Sequence, residues 1–486
     1  MSADLLTSPR WKPEHLGLPV PDDRDAVSAC LPQWDHNIAY EENDPLVVKQ
    51  LQAAYPRFCI HPDVAELCHE LFPQRSGLPF ATSAAAGRAV EYVQHAGGRS
   101  AVVQPIAGQP CAGVAIDDDE LPLLRQYWQH AGEIVSSRMA RAILAETPVE
   151  VTQNDSRLTV RQRVAELHQT SADNVYLYPS GMAAVAGVWR AIVRLSSGRP
   201  TCQFGFPYVD TLKIQQRFPE ASHEFLPVGS SGDEETLTRM FPERKFAAVL
   251  CETPTNPLLV TPDLSYLREI TARHGSLLVV DDTLRACCPQ TILPSCDAVV
   301  TSLTKYFSGY GNVLAGALVL NSESVAHEIL RSSLDAEFEE SLSDLDTEIL
   351  ELNSRDLAGR TAQCVRNAQV LSDRLRQHPA VAQVFFPEYS GDSDTSCGAL
   401  FSVLLKNAAN TTPGVFDQLQ VSKGPNLGTR FSLCCPYTIL AHYRELDFAE
   451  RCGVSRWLLR FSVGIEPVED LWHRFVNALE TVRTIQ

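Results

Sequence analysis

The middle of the chain alternates between two kinds of hydrophobic pattern. Between residues 136 and 322, short stretches that are apolar throughout are interleaved with longer helix-forming stretches. The apolar stretches read NVYLYP, FAAVLCE, SLLVVDD, DAVVTSL and AGALVLN, and the helical ones read RQRVAELHQTSA, MAAVAGVWRAIVRL and LSYLREITARHG. Strands of this kind are buried on both faces, as in a parallel sheet covered by helices. The alternation predicts an α/β domain over residues 136–322 with a central, mostly parallel sheet.

The regions on either side have different patterns. Residues 1–135 are rich in Pro, Ala and Gly with short apolar patches, which predicts an irregular N-terminal region with a few helices. Residues 323–380 are helix-forming almost throughout and predict a long connecting helix. Strands such as VAQVFF and ALFSVLL then alternate with helices such as VEDLWHRFVNALETV. Residues 323–486 therefore predict the connecting helix followed by a smaller C-terminal α+β domain.

Composition narrows the class of protein. The 486 residues are 44% hydrophobic and 21% charged, which is ordinary for a soluble globular protein of two or three domains. The net charge of −18 makes nucleic acid a poor partner, because an acidic surface repels phosphate backbones. The sequence contains no apolar stretch of transmembrane length, and its N-terminus lacks the basic-then-apolar order of a signal peptide. We expect no membrane association and a cytoplasmic location.

The cysteines do not form a metal-binding or disulfide pattern. There are fourteen, but no C-x-x-C pair occurs, and the thirteen histidines are scattered. The sequence therefore predicts no metal site and free, mostly buried thiols, which suits a reducing compartment.

Polar residues follow four of the predicted strands. In a sheet of this kind, ligands collect at the carboxyl ends of the strands. Each residue has an ordinary explanation when taken alone: a helix cap, a turn, an ion-pair partner or a solvated charge. The residues are Ser180, Gly181 and Met182 before a helix, Asn256 between two prolines, Asp281, and then Ser302, Thr304 and Lys305.

Their combination predicts a site for pyridoxal 5'-phosphate (PLP). Small residues at a helix start expose backbone N–H groups that suit a phosphate. An acid such as Asp281 can pair with the protonated pyridine nitrogen and keep the ring an electron sink. Lys305 stands 24 residues beyond the acid, on the next predicted strand, and its amine can form a Schiff base with the aldehyde.

The motifs in this order resemble the Cys/Met-metabolism family of PLP enzymes, which includes cystathionine γ-synthases, lyases and sulfhydrylases. The matching stretches are SGMAA (180–184), ETPTNP (252–257), VVDDT (279–283), SLTKYFSG (302–309) and RFSVGIE (460–466). The resemblance covers about residues 136–486. Further segments resemble fungal cystathionine γ-synthases, namely the stretch from Gly17 to Pro45, YPRFCIHP (55–62), NSRD (353–356) and CPYTILAHYRELD (435–447). The resemblance to the Cys/Met-metabolism family implies the fold-type-I PLP-dependent transferase architecture.

The resemblance also implies roles for individual residues. Lys305 would be the Schiff-base lysine and the main catalytic group, and Asp281 would hold the pyridine nitrogen. Tyr208, in YVDT where the family has Y-G-G-T, would stack on the ring and serve as a second catalytic residue. Arg460 would clamp the substrate α-carboxylate, because a guanidinium binds it bidentately. The remaining implied cofactor contacts are Gly181, Met182, Ser302 and Thr304 at the phosphate, Asn256 at the ring and the substrate, and Arg138 reaching the phosphate of a neighbouring subunit.

Three positions depart from the family pattern. Ser136 replaces a tyrosine two residues before Arg138. Asn426, in NLGTRFS, stands where a serine normally helps to seat the substrate, and Tyr310 follows the lysine where a small or polar residue is expected. Asn426 and Tyr310 are therefore expected to bind substrate, and all three positions to influence which nucleophile enters.

The resemblance implies γ-replacement on an O-acylated L-homoserine through a vinylglycine-type ketimine, with cysteine as the favoured nucleophile. One alternative is a specialised biosynthetic enzyme that traps the same intermediate with a carbon or other nucleophile. Others are a γ- or β-lyase of sulfur amino acids and a non-catalytic scaffold, although the joint presence of Lys305, Asp281 and Arg460 argues against the scaffold. The expected partners are an amino-acid substrate, a second nucleophilic substrate and further copies of the chain, as a dimer of dimers with shared active sites. The sequence does not distinguish an acetyl from a succinyl leaving group on the homoserine.

Overall fold

The N-terminal region contains a sheet that the sequence pattern did not predict. The computed structural model describes residues 4–53, 60–218, 222–388 and 397–480, so residues 55–59 of YPRFCIHP lie outside it. The sheet is antiparallel with the order β1-β3-β2. Its strands escaped prediction because β1 contains Gly and Pro, and β2 is only four residues long and partly exposed. The elements are α1 (Trp34–Glu41), α2 (Pro45–Val48), α3 (Pro62–Leu71), β1 (Ser76–Phe80), α4 (Ser83–His95), β2 (Val102–Pro105), β3 (Ala112–Ile116), α5 (Leu121–Ala131) and α6 (Ser137–Leu144).

The alternating region forms a seven-stranded sheet, which confirms the predicted α/β fold with a mostly parallel sheet. Its order is β4-β10-β9-β8-β7-β5-β6, and only β10 runs antiparallel to its neighbours. The elements are α7 (Asp155–His168), β4 (Val175–Tyr178), α8 (Gly181–Ser196), β5 (Thr201–Phe204), α9 (Val209–Arg217), β6 (His223–Leu226), α10 (Ser231–Arg244), β7 (Ala248–Glu252), α11 (Leu264–Arg273), β8 (Leu277–Asp281), β9 (Ala298–Thr301) and β10 (Gly316–Leu320).

Both faces of this sheet are buried. Leu250 and Val300 belong to a core that includes α8, whereas their strand neighbours Val249 and Val299 belong to a core on the other face with α7, α10 and α11. Successive side chains of a strand point to opposite faces, so a strand covered on both sides must be apolar at every position. This is why the central strands were visible in the sequence.

The C-terminal region begins with separate helices rather than one long connecting helix. Ser343 caps the second of them by accepting a hydrogen bond from the Asp346 amide (3.1 Å), so the helical run restarts there. A five-stranded sheet of order β11-β12-β15-β14-β13 follows. The elements are α12 (His327–Asp335), α13 (Asp344–Asn353), α14 (Leu357–Arg376), β11 (Val381–Phe385), β12 (Leu400–Leu405), α15 (Ala408–Gln418), β13 (Ser422–Lys423), β14 (Leu433–Pro436), α16 (Tyr437–His442), α17 (Leu446–Arg451), β15 (Leu459–Ser462) and α18 (Val468–Glu480).

Short 3-10 helices and one disulfide complete the described fold. The prediction of free thiols throughout is wrong for Cys288 and Cys397, which form a disulfide between the α/β domain and the C-terminal domain. Sequence spacing could not show this pair, because 109 residues separate them. No helix in the described ranges is long and apolar enough to cross a membrane. The 3-10 helices are Pro13–His15, Ala172–Asn174, Thr283–Arg285, Leu293–Ser295, Ser354–Asp356 and Tyr443–Glu445.

A buried arginine ties the C-terminal domain to the loop that carries Lys305. The Arg360 guanidinium, near the start of α14, donates to the backbone carbonyls of Tyr306 (2.7 Å) and Ser308 (3.1 Å). Gly309 makes this possible, because its φ is +74° and a Cβ there would lie 1.8 Å from the guanidinium. The loop after Lys305 is therefore folded around one cation.

We predict that Arg360→Met lowers the free energy of unfolding by about 2–4 kcal/mol, because it leaves several buried carbonyls without donors. The control is Arg366→Met on an exposed face of the same helix, which should change stability by less than about 0.5 kcal/mol. Urea unfolding monitored by circular dichroism measures both. Equal stabilities of the two variants would contradict the structural role given to Arg360.

Candidate active site

A cavity of about 120 Å³ lies at the carboxyl ends of the parallel strands. The end of an open α/β sheet is where such folds bind ligands, because the loops there diverge and leave a crevice. Most of the predicted site residues line this cavity. They are Gly181, Met182, Tyr208, Asn256, Asp281, Ser302, Thr304, Lys305 and Arg460.

The first turn of α8 forms one wall of the cavity. Ser180 caps the helix, accepting from the Ala183 amide at 3.1 Å and donating to the Gly132 carbonyl at 2.7 Å. The helix start lies close against β9 and β10. A Cβ on Gly181 would be 2.8 Å from the Ser302 Cβ, and one on Gly316 would be 2.3 Å from the Ser180 carbonyl oxygen. The first amides of a helix have no partner within it, so this wall presents N–H groups that suit an anion.

The two hydroxyls predicted beside the anion differ in availability. Thr304 lines the cavity, but its hydroxyl donates to the Ala315 carbonyl (3.2 Å) and accepts from the Ala315 amide (3.0 Å). A hydroxyl has only one proton to donate, so Thr304 in this arrangement holds the loop together. Ser302 lines the same cavity, and its backbone amide donates to the Thr283 hydroxyl at 2.8 Å.

Two carboxyl groups stand side by side at the sheet edge. Glu252 and Asp281 are paired in register at the ends of β7 and β8. Burial raises the pKa of Asp281 to about 6, although its side chain accepts from the Thr283 amide at 2.9 Å. Burial and the neighbouring Asp281 raise the pKa of Glu252 well above its usual value, and Glu252 accepts from the Tyr208 amide at 2.6 Å. A cation opposite Asp281 would relieve the cost of its buried charge.

Lys305 is held by Asn426, one of the three residues that depart from the family pattern. Its Nζ donates to the Asn426 Oδ1 at 2.7 Å. Asn426 is 2% exposed, and its Nδ2 has no hydrogen-bond partner among the described residues. Gly428, with φ +75°, lets this loop approach the Lys305 backbone, since a Cβ there would lie 2.8 Å from the Lys305 carbonyl carbon. Asn426 therefore both orients the amine and keeps one donor unused.

Arg460 is fixed on the opposite side of the cavity, on β15 of the C-terminal domain. Its guanidinium donates to the Asn256 Oδ1 (3.2 Å) and the Pro425 carbonyl (2.8 Å), and it lies 4.7 Å from the centre of the Tyr437 ring. The side chain is buried, so its position is set before any ligand arrives. A guanidinium with part of its fork held in this way can still bind a carboxylate.

Besides Asn426, three residues singled out from the sequence lie outside the cavity lining. Arg138 pairs within its own chain with Asp346 (3.3 Å) and Asp25 (3.4 Å). Ser136 donates to the same Asp346 at 2.6 Å and caps α6. The Tyr310 hydroxyl donates to Asp356 at 3.2 Å, and the Arg360 and Arg430 guanidinium groups lie 5.8 and 5.6 Å from the centre of its ring.

Several lining residues were not predicted. Glu252 and Thr283 lie inside the quoted motifs, so their places at strand ends could have found them. Asp210 lies at the start of α9 inside YVDT, the stretch quoted for Tyr208, whereas Gln129 comes from α5 and no local pattern marks it. They reach the cavity only because those helices pack together.

Comparisons with known proteins agree with this geometry. Residues 150–480 match the Cys/Met metabolism PLP-dependent enzyme family. The chain belongs to this family. A cystathionine gamma-synthase of Neurospora crassa is 28% identical over 96% of this chain and 98% of that protein, and the cystathionine gamma-synthase-like protein ankD of Aspergillus thermomutatus is 30% identical over 96% and 94%. The crystal structure of cystathionine gamma synthase from Xanthomonas oryzae pv. oryzae with cystathionine has a TM-score of 0.59 at 22% identity, covering 68% of this chain and 87% of that one.

Membership of the family confirms the predicted cofactor, PLP, and the fold-type-I architecture. The cavity also fits PLP on its own evidence. The wall made by Gly181 and Met182 suits the phosphate, and the buried carboxylate of Asp281 suits a protonated pyridine nitrogen. Lys305 is the lysine that lines the cavity, and it is therefore the candidate for the covalent link.

We predict opposite effects of Asp281→Asn on stability and on PLP binding. The native pKa of about 6 lies above the unfolded value of 3.8, so the ionised carboxylate destabilises the apoenzyme progressively as pH rises from about 4 to about 6. The apo variant should therefore be more stable than the apo wild type by about 2–3 kcal/mol at pH 8, and by less at pH 5. Its PLP affinity should fall at least tenfold.

Urea unfolding of the apoenzymes and absorbance titration with PLP measure these effects. The control is Asp173→Asn, which changes an exposed carboxyl and should alter neither quantity. An apo Asp281→Asn variant no more stable than wild type at pH 8 would show that the carboxylate is not under strain from burial.

Proposed function

We propose that this enzyme replaces the γ-substituent of an O-acylated L-homoserine, with cysteine as the favoured nucleophile. The observation that carries the proposal is the meeting of Lys305, Asp281 and Arg460 around one cavity: Asp281 ends β8, Lys305 lies in the loop after β9, and Arg460 lies on β15. Together they supply a mobile base, a counter-charge for the cofactor ring and a carboxylate clamp. This set suits reactions that begin by breaking the Cα–H bond of an amino acid.

Each residue would have a separate task. PLP, when bound, stores the electrons left by the broken C–H bond. Arg460 would bind the substrate carboxylate, with Asn256 fixing the guanidinium. Lys305 Nζ would take the proton from Cα, give it up to the bound cofactor and, neutral again, take the proton from Cβ, since one movable amine can reach these atoms. Asn426 Oδ1 would hold Nζ between these transfers.

The substitution then takes place at Cγ. The acyloxy group leaves as a carboxylate with the electron pair of the C–O bond, the nucleophile donates the pair for the new bond, and the nucleophile's proton goes to a base. Tyr208, at the cavity and anchored through its amide on Glu252, is the candidate for stacking on the cofactor ring and for assisting this proton movement.

A second candidate uses the same steps with a carbon or other non-cysteine nucleophile. Asn426 is the observation that favours it, because an amide with an unpartnered Nδ2 offers a donor where the family places a hydroxyl. Such a donor can hold an acceptor oxygen beside Cγ, for example the carbonyl of a β-keto acid. A lyase, in which water completes the reaction, is the remaining candidate.

We also propose a homo-oligomer, a dimer of dimers with active sites shared between subunits, in the cytoplasm. The support is the family resemblance around Arg138. The intrachain pairs of Arg138 with Asp25 and Asp346 have to rearrange if it is to reach another subunit. Sedimentation velocity should give four times the 53.6 kDa mass of the chain, and a monomer would contradict the shared site.

The decisive experiment incubates the holoenzyme with O-acetyl- and O-succinyl-L-homoserine and a panel of nucleophiles, with products read by mass spectrometry. We expect release of the acyl group together with a new bond at Cγ, and cystathionine as the main product with cysteine. Lys305→Ala should abolish product formation with every nucleophile. Formation of only 2-oxobutanoate and ammonia would favour the lyase instead.

Asn426→Ser tests what selects the nucleophile. Relative to wild type, it should change the ratio of rates between cysteine and acetoacetate by about 1–3 kcal/mol, roughly the value of one pocket contact. Tyr310→Phe is the matched comparison, because its hydroxyl bonds Asp356 outside the cavity and its loss should leave this ratio unchanged. If Asn426→Ser slows both nucleophiles equally, the residue supports Lys305 but does not select.

A further inference from the structure

A second and larger cavity adjoins the candidate PLP cavity. Its volume is about 380 Å³, against about 120 Å³ for the first. It lies between α1, α5, α9 and the stretch from α16 to the following 3-10 helix, so both the α/β and the C-terminal regions contribute to it. Gln129 and Asp210 border both cavities. A molecule in the larger cavity would therefore have one end next to the cofactor site.

The cavity lining carries charges of both signs, with Lys213 and two arginines on one side of the count and Glu41, Asp210 and Glu445 on the other. Lys213 is paired with Glu445 at 2.8 Å, and the same carboxylate accepts from His442. Arg217 and Arg444, by contrast, have no carboxylate within ion-pair distance among the described residues. Both are exposed and line the cavity, one from α9 and the other from the 3-10 helix Tyr443–Glu445. Two guanidinium groups facing one space suit an anion, and a carboxylate in particular.

A buried relay connects one of these arginines to the boundary between the cavities. An Arg217 N–H approaches His130 Nε2 at 3.3 Å, and His130 Nδ1 lies 2.8 Å from Asp210. Because a guanidinium can only donate, Nε2 accepts and the Nδ1–H donates to Asp210. Asp210 lies in the first turn of α9, where a negative charge is stabilised. The relay fixes Arg217 relative to the wall that both cavities share.

We propose that the larger cavity binds the carboxylate of the second, nucleophilic substrate through Arg217 and Arg444. The substrate would extend past Gln129 and Asp210, so that its nucleophilic atom enters the cofactor cavity. This inference rests on the proposed two-substrate function and names the chemical class of the second substrate. Cysteine and a β-keto acid both carry a carboxylate, so the site serves either candidate nucleophile.

The kinetic test uses the holoenzyme with saturating O-acetyl-L-homoserine. Arg217→Gln and Arg444→Gln should each raise the KM for L-cysteine or acetoacetate at least fivefold, and the double variant at least twentyfold. The KM for cysteamine, which has a thiol but no carboxylate, should stay within twofold. Exchange of the substrate α-proton with deuterium from solvent should also be unchanged, because it needs only the cofactor cavity. Arg451→Gln is the matched control, an exposed arginine on α17 that does not line the cavity.

A binding measurement separates this inference from the proposed function. Succinate, which has carboxylates but no nucleophilic thiol or carbanion, should bind wild-type holoenzyme in a calorimetric titration and compete with the nucleophile. Its affinity should fall at least tenfold in the double variant. Replacement activity with an unchanged KM in the variants would overturn the site and leave the proposed function standing. Absence of replacement with any nucleophile would overturn the function, and the succinate titration would still decide the site.

Discussion

The candidate site depends on how closely the start of α8 approaches the strands beside it. Gly181 and Gly316 permit this contact, because a side chain at either position would lie within 3 Å of backbone or side-chain atoms across the gap. The approach aims the free amides of the first helical turn at the strand ends, where Ser302 and Lys305 begin their loop. An anion held there is thereby placed at a fixed distance from the lysine. The position of the anion site relative to Lys305 therefore depends on this contact.

The same sheet edge brings together two carboxyl groups whose ionisation is opposed by burial. Asp281 and Glu252 end adjacent parallel strands, and burial raises the pKa of both. Such a pair is costly unless a cation is supplied. In a PLP enzyme the protonated ring nitrogen can be that cation, so the buried carboxylate favours the protonated form of the ring. The Asp281 carboxylate therefore destabilises the apoenzyme but favours the binding of PLP.

The parts of the fold that could be predicted are those in which burial alone determines the residue types. The central strands are covered on both faces and are apolar at every position, so they were visible, whereas β5 (TCQF) and β6 (HEFL) mix polar residues and were not. The N-terminal sheet was hidden by its Gly, Pro and exposed positions. Among site residues, Asn256, Asp281 and Lys305 were found because they follow or end predicted strands, although Glu252, which ends β7, was not. Gln129 was missed because helix packing, not sequence spacing, brings it in, and Asp210 was missed although it lies two residues beyond Tyr208 in YVDT. Two of the residues that depart from the family pattern have different partners: Asn426 accepts a hydrogen bond from Lys305, whereas Tyr310 donates one to Asp356.

A chain of net charge −18 would have to bind the carboxylate groups of its proposed substrates against this overall charge. Salt screens charges beyond about 8 Å at physiological ionic strength, so the distant acidic surface contributes little inside a cavity. The local cations therefore decide, and they are distributed by task. Arg460 is buried and pre-positioned by Asn256, as suits a substrate that must be held during bond breaking. Arg217 and Arg444 lie at the exposed mouth of the neighbouring cavity, as suits a substrate that has to enter after the first has reacted. The depth at which each carboxylate is bound would then determine the order in which the two substrates bind.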